Sequence, residues 1–356
     1  MNSDYVPVTR IKVFGVGGGG CNAVNRMVEA NMIGVDFYAV NTDQQVLTSS
    51  SVENKLLLGF NTTHGLGAGG IPEVGKAAAL ETIEDIKAAV QDADMIFVTT
   101  GLGGGTGTGA APIVAQCAKE AGALTIAVVT KPFNFEGKRR MMQALNGLDE
   151  LKKYVDSVII IPNEKVNAML GSVPIKQAFQ EADNVLRQAV QTITDLVSYK
   201  AYINLDFADI RATLSGQGTA LIGVGQVSPD EVGNKNDLGK EAAARAINCP
   251  LLEGGIQGAK NAIVNISGAD SLTISLAEEA IKQIRETAGE DMDIIFGMAT
   301  NDSLKDSIIV TVIATGFESE NGNNFAQSTY DSNKQTTVEK VDDNIDMPDF
   351  FNHRIN

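Results

Sequence analysis

The chain of 356 residues carries 28 basic and 44 acidic side chains, a formal net charge of −16, and 44% hydrophobic residues. That length exceeds one ordinary core and predicts two domains with a tail, while the acidic balance opposes general binding to nucleic acid or anionic membrane, so lipid contact needs an adaptor. Three cysteines, Cys21, Cys117 and Cys249, are widely separated and lack metal spacing, which argues against a disulfide framework; with no basic-then-apolar leader and no bilayer-length run, a cytoplasmic setting is expected.

A first strand is predicted at 11–16, then the glycine run Gly17, Gly18, Gly19, Gly20, Cys21, Asn22 as a loop, then a helix from 23 to about 30. Gly15, Gly17 and Gly20 fit G-x-G-x-x-G, and Asp43, just past the next strand at 37–40, lies where a ribose-binding acid would sit, so a dinucleotide oxidoreductase is one reading. No G-x-x-x-x-G-K-[ST] occurs, which excludes a P-loop NTPase. Asn41, Thr42 and Asp43 close the second strand, and a glycine loop with Ala68, Gly69 and Gly70 precedes a helix opened by Pro72 and running to about residue 90.

The stretch Gly103, Gly104, Gly105, Thr106, Gly107, Thr108, Gly109 follows a buried strand at 95–98 and precedes a helix predicted from 110, with Pro112 in its first turn. A strand-to-helix loop with almost no side chains lets backbone N–H groups and the positive helix end converge on an anion, and phosphate is the expected one. Each glycine loop alone is a surface turn. Four of them on the carboxyl edge of parallel strands argue together for a phosphorylated ligand.

A strand at 124–129 leads to Glu136 and Arg140, which either meet a ribose and its charge or simply open a helix; the local sequence favours the helix start. A strand at 158–162 ends at Asn163. A long helix is predicted from 174 to about 197, with Phe179, Leu186, Val190, Ile193 and Leu196 on its apolar face. Asp183 lies off that face, as surface decoration or as an acceptor for the N1–H and exocyclic amine of guanine. Next come Asn204, Asp206 and Asp209: either a carboxylate caps a short helix, or a carboxylate pair orients a water, and the local sequence supports both.

Beyond 214, strands at 220–224, 262–266, 293–296 and 308–313 alternate with helices near 240–247 and 272–287, an α/β sandwich without a glycine-loop cluster and so a support or contact domain. From 318 the composition turns to Asn, Ser, Gln, Thr and acidic residues that cannot bury enough apolar surface to order. It ends in Ile345, Asp346, Met347, Pro348, Asp349, Phe350 and Phe351, an apolar and acidic island suited to a partner's groove.

The GGGTGTG stretch, the loop at 17–22, the run Phe135-Glu136-Gly137 and the acidic loop at 204–209 are the motifs that carry a likeness, and over about residues 11–317 the chain resembles the tubulin and FtsZ superfamily, bacterial FtsZ more than tubulin. The resemblance implies a flexible N-terminus (1–10), a Rossmann-like parallel-sheet GTPase domain (11–173), a long central helix (174–198), a synergy loop with a short helix (199–214), a smaller α/β sandwich domain that activates hydrolysis (215–317), a disordered linker (318–342) and a partner-binding peptide (343–356). It implies a polymerising GTPase of the bacterial division ring, in the cytoplasm at midcell, that binds GTP or GDP with Mg²⁺. By position, Gly17, Gly18, Gly19, Gly20, Cys21 and Asn22 would lie on the nucleotide, with Asn41, Asp43, Ala68, Gly69 and Gly70 around it. Gly104, Gly105, Thr106, Gly107, Thr108 and Gly109 would hold the phosphates, Glu136 and Arg140 the ribose, and Asn163 and Asp183 the nucleoside. Asn204, Asp206 and Asp209 would act on the GTP of the next subunit in a head-to-tail homopolymer, and the tail would bind membrane anchors such as FtsA-like adaptors. No protein ligand for the metal is assigned. The sequence departs from the family in lacking Pro-Gly at 199–202 and in carrying Met347, Phe351 and Asn352 where Ile, Leu and a basic residue are common.

Overall fold

Uninterrupted apolar runs make strands buried on both faces, and such strands pair in parallel with helices covering each side. The computed structural model, which describes residues 9–317 apart from 171–172, 198–200, 204–205, 253–254, 270–271, 290, 301–303 and 305, follows that rule. Strands β1 (Ile11–Val16), β2 (Val35–Asn41), β3 (Asn54–Leu57), β4 (Met95–Gly101), β5 (Leu124–Lys131) and β6 (Ser157–Pro162) lie parallel in the order β3-β2-β1-β4-β5-β6. The helices of this half are α1 (Gly17–Glu29), α2 (Gln44–Ser49), α3 (Phe60–Thr63), α4 (Pro72–Glu81), α5 (Ile83–Val90), α6 (Thr106–Glu120), α7 (Lys138–Leu151) and α8 (Asn163–Leu170).

The second half follows the long helix α9 (Ile175–Val197) and holds β7 (Ala201–Ile203), α10 (Phe207–Leu214), β8 (Gly218–Val227), α11 (Leu238–Ile247), β9 (Asn261–Gly268), α12 (Ile274–Ala288), β10 (Asp293–Thr300) and β11 (Ile308–Thr315). β8 belongs to both halves. Its first residues pair in parallel with β6 (Ser157 with Gly218, Ile159 with Ala220), and from Leu221 onward it pairs antiparallel with β11, so one continuous sheet runs β6-β8-β11-β9-β10-β7. The α/β class, the parallel sheet of the first half, the long helix and the smaller mixed-sheet domain agree with the sequence expectation.

One face of the parallel sheet is covered by α1, α9 and α10, through Val24, Met27, Leu186, Ile193 and Ile210; the other is covered by α4, α5, α6 and α7, through Ala79, Ile86, Val114 and Leu148. The α9 face also packs on Ile222, Ile263 and Ile313 of the second half, whose opposite face carries α11 and α12. Five fully buried or nearly buried aliphatics on α9 (Val185, Leu186, Val190, Ile193, Leu196) contribute at most on the order of 10 kcal/mol in transfer free energy. Among the described residues no helix is long and apolar enough to cross a membrane.

Several boundaries differ from expectation. Gly17 to Asn22 is the first part of α1 and not a loop, and α6 begins at Thr106, which leaves Pro112 inside the helix. Glycines tolerate a first turn because the leading N–H groups there have no intrahelical partner to lose. They also allow contacts that a Cβ forbids: one on Gly15 would lie 2.3 Å from the Gly20 carbonyl oxygen. The helix opened by Pro72 ends at Glu81, because Thr82 turns its hydroxyl back onto the Ala78 carbonyl and accepts the Gly59 N–H.

Candidate functional site

The connections from β1 and β4 leave in opposite directions along the sheet, so the crevice at their carboxyl ends is its topological switch point. Both α1 and α6 start there, and neither has a side-chain N-cap or an acidic residue in its first turn. Their leading N–H groups and positive ends are therefore available to an anion.

The glycines around this crevice divide by what surrounds them. A Cβ on Gly109 would meet the Pro72 carbonyl oxygen at 2.0 Å, one on Gly105 the Ile71 nitrogen at 2.8 Å, one on Gly107 the Thr100 hydroxyl at 2.3 Å, and one on Gly20 the Thr99 carbonyl oxygen at 2.4 Å. Gly17, at φ +73°, would press on Gly107 at 2.7 Å. Close backbone packing explains these five. Nothing lies within 4 Å of a Cβ on Gly18, Gly69, Gly70 or Gly104; these four leave room for a ligand, while Gly19 faces Gly101.

Hydrogen bonds tie the segments at 41–43, 65–70 and 103–109 together. Thr42 and Thr106 share a hydroxyl hydrogen bond of 2.6 Å, the Gly67 N–H donates to the Thr42 carbonyl at 3.1 Å, and the Gly103 N–H donates to the Thr108 hydroxyl at 2.8 Å. Ala68 is buried against Gly105. Asp43 caps α2 by accepting from the N–H groups of Gln45 and Val46, and Asn41 is buried, its amide donating to Cys21 and its carbonyl oxygen accepting from the Asp43 N–H. The Cys21 thiol is buried against the Gly15 and Val40 carbonyls, and desolvation raises its pKa to about 11, so it is an inert group beneath the crevice and not a side chain that faces it.

On α1, Gly18 and Asn22 are exposed one turn apart, and the next turn brings Arg26, whose Nε donates to Asp183 of α9 at 3.2 Å. Burial pushes the Asp183 carboxyl up to about 6, against the lowering effect of Arg26. Asn163, at the start of α8, is buried with its side-chain oxygen unpartnered, an acceptor still open to a donor. Glu136 accepts the Phe133 N–H at 2.8 Å and pairs with Arg140 at 3.1 Å, so each satisfies the other at the head of α7. Beside them Phe133 and Phe135 stack at 5.1 Å, and Phe179 meets both edge-on. Phe179 belongs to the predicted apolar face of α9, yet it is 40% exposed, and Phe135 is 62% exposed. An aromatic platform next to Asp183 suits a flat base. Sequence reading missed Arg26 and this platform; helical spacing was the available signal, since Arg26 lies two turns past Gly18 and Phe179 one turn before Asp183.

The acidic loop lies elsewhere. Asp206 occupies the N-cap position of α10 but its side chain makes no capping bond, and both Asp206 and Asp209 are exposed. Arg211 donates to the Gly122 carbonyl beyond α6, and Ser157 donates to the Leu214 carbonyl. α10 is thus fastened at the amino ends of β5 and β6, the edge opposite the glycines. The eight residues of β5 separate the two edges, roughly 25 Å at about 3.3 Å per residue. Asn204 and the 345–351 island lie outside the described residues.

A divalent cation has no protein cage to sit in: among the described residues no group of three or more His, Cys, Asp or Glu side chains converges. Such an ion would have to be held mainly by phosphate oxygens.

The strand order is shared with dinucleotide-binding folds, so topology alone does not choose among nucleotides. Comparison with known proteins does. The model of the Tubulin/FtsZ family GTPase domain matches residues 10–171, and that of the FtsZ family C-terminal domain matches residues 218–318. An empty FtsZ dimer from M. jannaschii is 41% identical over 87% of this chain and 89% of its own, with a TM-score of 0.82. A point mutant of M. jannaschii FtsZ, with tyrosine in place of a tryptophan, is 42% identical over 87% of this chain and 92% of its own, with a TM-score of 0.83. CetZ2 from Haloferax volcanii, solved as a GTPγS-bound protofilament, is 20% identical over 90% of this chain and 97% of its own, with a TM-score of 0.74, a likeness of fold alone.

Proposed function

The chain belongs to the tubulin/FtsZ family and is a GTPase that binds guanine nucleotide, and from that premise we propose that it assembles head to tail, each subunit hydrolysing its GTP with acids lent by the next. The observation that carries this reading is the separation just described. The uncapped starts of α1 and α6 occupy one edge of the sheet, and the exposed Asp206 and Asp209 occupy the other. No single subunit brings its own acids to its own phosphates, whereas stacking one subunit's amino edge on its neighbour's carboxyl edge does. Such a heterologous contact repeats without closing and generates a filament.

In this arrangement guanine lies against Phe179 and donates to Asp183, the sugar lies near Glu136 and Arg140, and the phosphates lie on the N–H groups that open α1 and α6 around Gly18 and Gly104. Magnesium, when bound, neutralises phosphate charge. Asp206 and Asp209 of the neighbour orient and deprotonate the attacking water. The exposed apolar side chains Phe60, Leu66 (80% exposed) and Ile71 beside the glycine edge favour burial by a second copy. Filaments of this kind, tethered by the 345–351 peptide to a membrane adaptor of the FtsA type, would form a cytoplasmic division ring; the support for that part is the family and the tail's composition.

Turnover per subunit should rise with protein concentration, followed by phosphate release together with light scattering. Asp209→Ala should bind GTP normally and hydrolyse it about 10²-fold more slowly. Full turnover in a dilute monomer would overturn the reading, and scattering without phosphate release from the parent protein would leave a filament that does not hydrolyse.

A further inference from the structure

Asp156 immediately precedes β6 at the amino edge, and its side chain is 6% exposed. One carboxylate oxygen accepts from the Lys119 ammonium at the end of α6 and from the Ser215 hydroxyl, one residue past α10, at 3.3 Å. The other accepts the Thr125 N–H of β5 at 2.9 Å. Backbone bonds continue the clasp: the Gly218 N–H donates to the Asp156 carbonyl at 3.1 Å, and the Ser157 hydroxyl donates to the Leu214 carbonyl at 2.6 Å. From the second half, the Thr315 hydroxyl donates to the Thr213 carbonyl at 3.2 Å. The chain leaving α10 is held at four points from 213 to 218, two of them by Asp156, through its carboxylate at Ser215 and its carbonyl at Gly218.

Resting on the reading that α10 carries acids to the next subunit's GTP, we propose that Asp156 is a positioning residue for hydrolysis. It joins the base of α10 to the far end of α6, the helix whose first turn holds the same subunit's phosphates. An eight-residue helix does not hold its own orientation. A tilt of about 5° along its length of about 12 Å moves its first turn by about 1 Å. Misplacement of that size costs on the order of 10²-fold in a catalytic step. A buried carboxylate bonded to three separate elements supplies the stiffness, since leaving any of its bonds unmade carries a desolvation penalty.

The test uses the full chain. Asp156→Asn keeps the size of the side chain and an acceptor for Thr125 but removes the charge facing Lys119. Ser215→Ala cuts only the carboxylate's bond to the segment after α10 and leaves the backbone bond from Gly218 in place. Both variants should bind a fluorescent GTP analogue and sediment as assemblies like the parent. Turnover at saturating protein should fall about tenfold or more in D156N and about threefold in S215A, in kcat and not in KM. Mixing D156N with Gly104→Trp, whose own phosphate site is blocked but whose α10 is intact, should restore turnover, because the well-placed acids of the second variant then face the GTP of the first. Turnover within about twofold of the parent in both variants, a loss of GTP binding by D156N, or no rescue in the mixture each overturns the proposal. Asp209→Ala run in parallel separates the two readings. If it keeps full turnover, the lending of acids between subunits fails; if it is inactive while D156N is unimpaired, only the role of Asp156 fails.

Discussion

Asp183 is buried enough that its carboxyl is pushed up to about 6 from an ordinary value of 3.8, even with Arg26 beside it. Between those values the folded protein holds a proton that the unfolded chain has lost, so stability of the nucleotide-free form falls as pH rises through about 4 to 6. Above that window the charged group is a standing cost of folding, which, in the proposed site, guanine's two donors would offset. Asp183→Asn should therefore raise the thermal stability of the nucleotide-free protein at pH 7.5 by on the order of 1 kcal/mol while weakening GTP binding at least tenfold. GTP affinity of the parent should drop below about pH 6 and that of the variant should not, measured by titration with a fluorescent analogue. The glycines invite a second contrast. Gly109→Ala forces a Cβ onto the Pro72 carbonyl and should lower the urea unfolding free energy by about 1–3 kcal/mol. Gly104→Ala meets nothing and should leave stability within about 0.5 kcal/mol while weakening GTP binding. A sequence spells both residues with one letter. Their jobs differ because α4 lies against α6 at Gly109, a contact made by residues more than thirty positions away, whereas Gly104 precedes α6 and has no such neighbour.

α9 connects the two edges of the molecule. Near its start Asp183 faces Arg26, and its end leads through β7 to α10 at the other edge. Its apolar face was legible because every buried aliphatic position recurs at helical spacing, and the strands were legible because their runs are apolar without interruption. Helix starts were not, since glycine argues against a helix interior by propensity but is tolerated in a first turn. The placement of the acids was within reach of a simpler rule. Each parallel strand delivers the chain to the carboxyl edge and each full-length helix returns it, so residues after β4 and residues after α9 must lie on opposite edges. Because α9 buries Ile193 among residues of both halves, Ile193→Ala should cost about 2–5 kcal/mol. Hydrogen exchange should show lost protection in β5 and in β9 together; a change confined to one sheet would mean that α9 does not bind the halves into one unit.

Across the whole molecule, β8 makes the two sheets continuous, so the halves that flank α9 present their opposed edges as parts of one body. The family was legible from ordered motifs, and the glycine-lined edge from their places at strand ends. The clasp at Asp156 was not, since its partners Lys119, Thr125 and Ser215 are brought together only by the fold. Under the stacking proposed above, the opposition of the edges also fixes an arithmetic. If subunits stack head to tail as proposed, a chain of them has one complete site fewer than it has nucleotides, because the subunit at one terminus shows its glycine edge to solvent and receives no acids. In such a chain the terminal GTP would outlast the others, so the two tips would differ in chemistry as well as in direction, and one tip would keep a cap whatever the age of the polymer behind it. Filaments nucleated from GTP to a shorter mean length, quenched once the interior GTP is spent, should hold a higher ratio of GTP to GDP, in step with the number of tips per subunit.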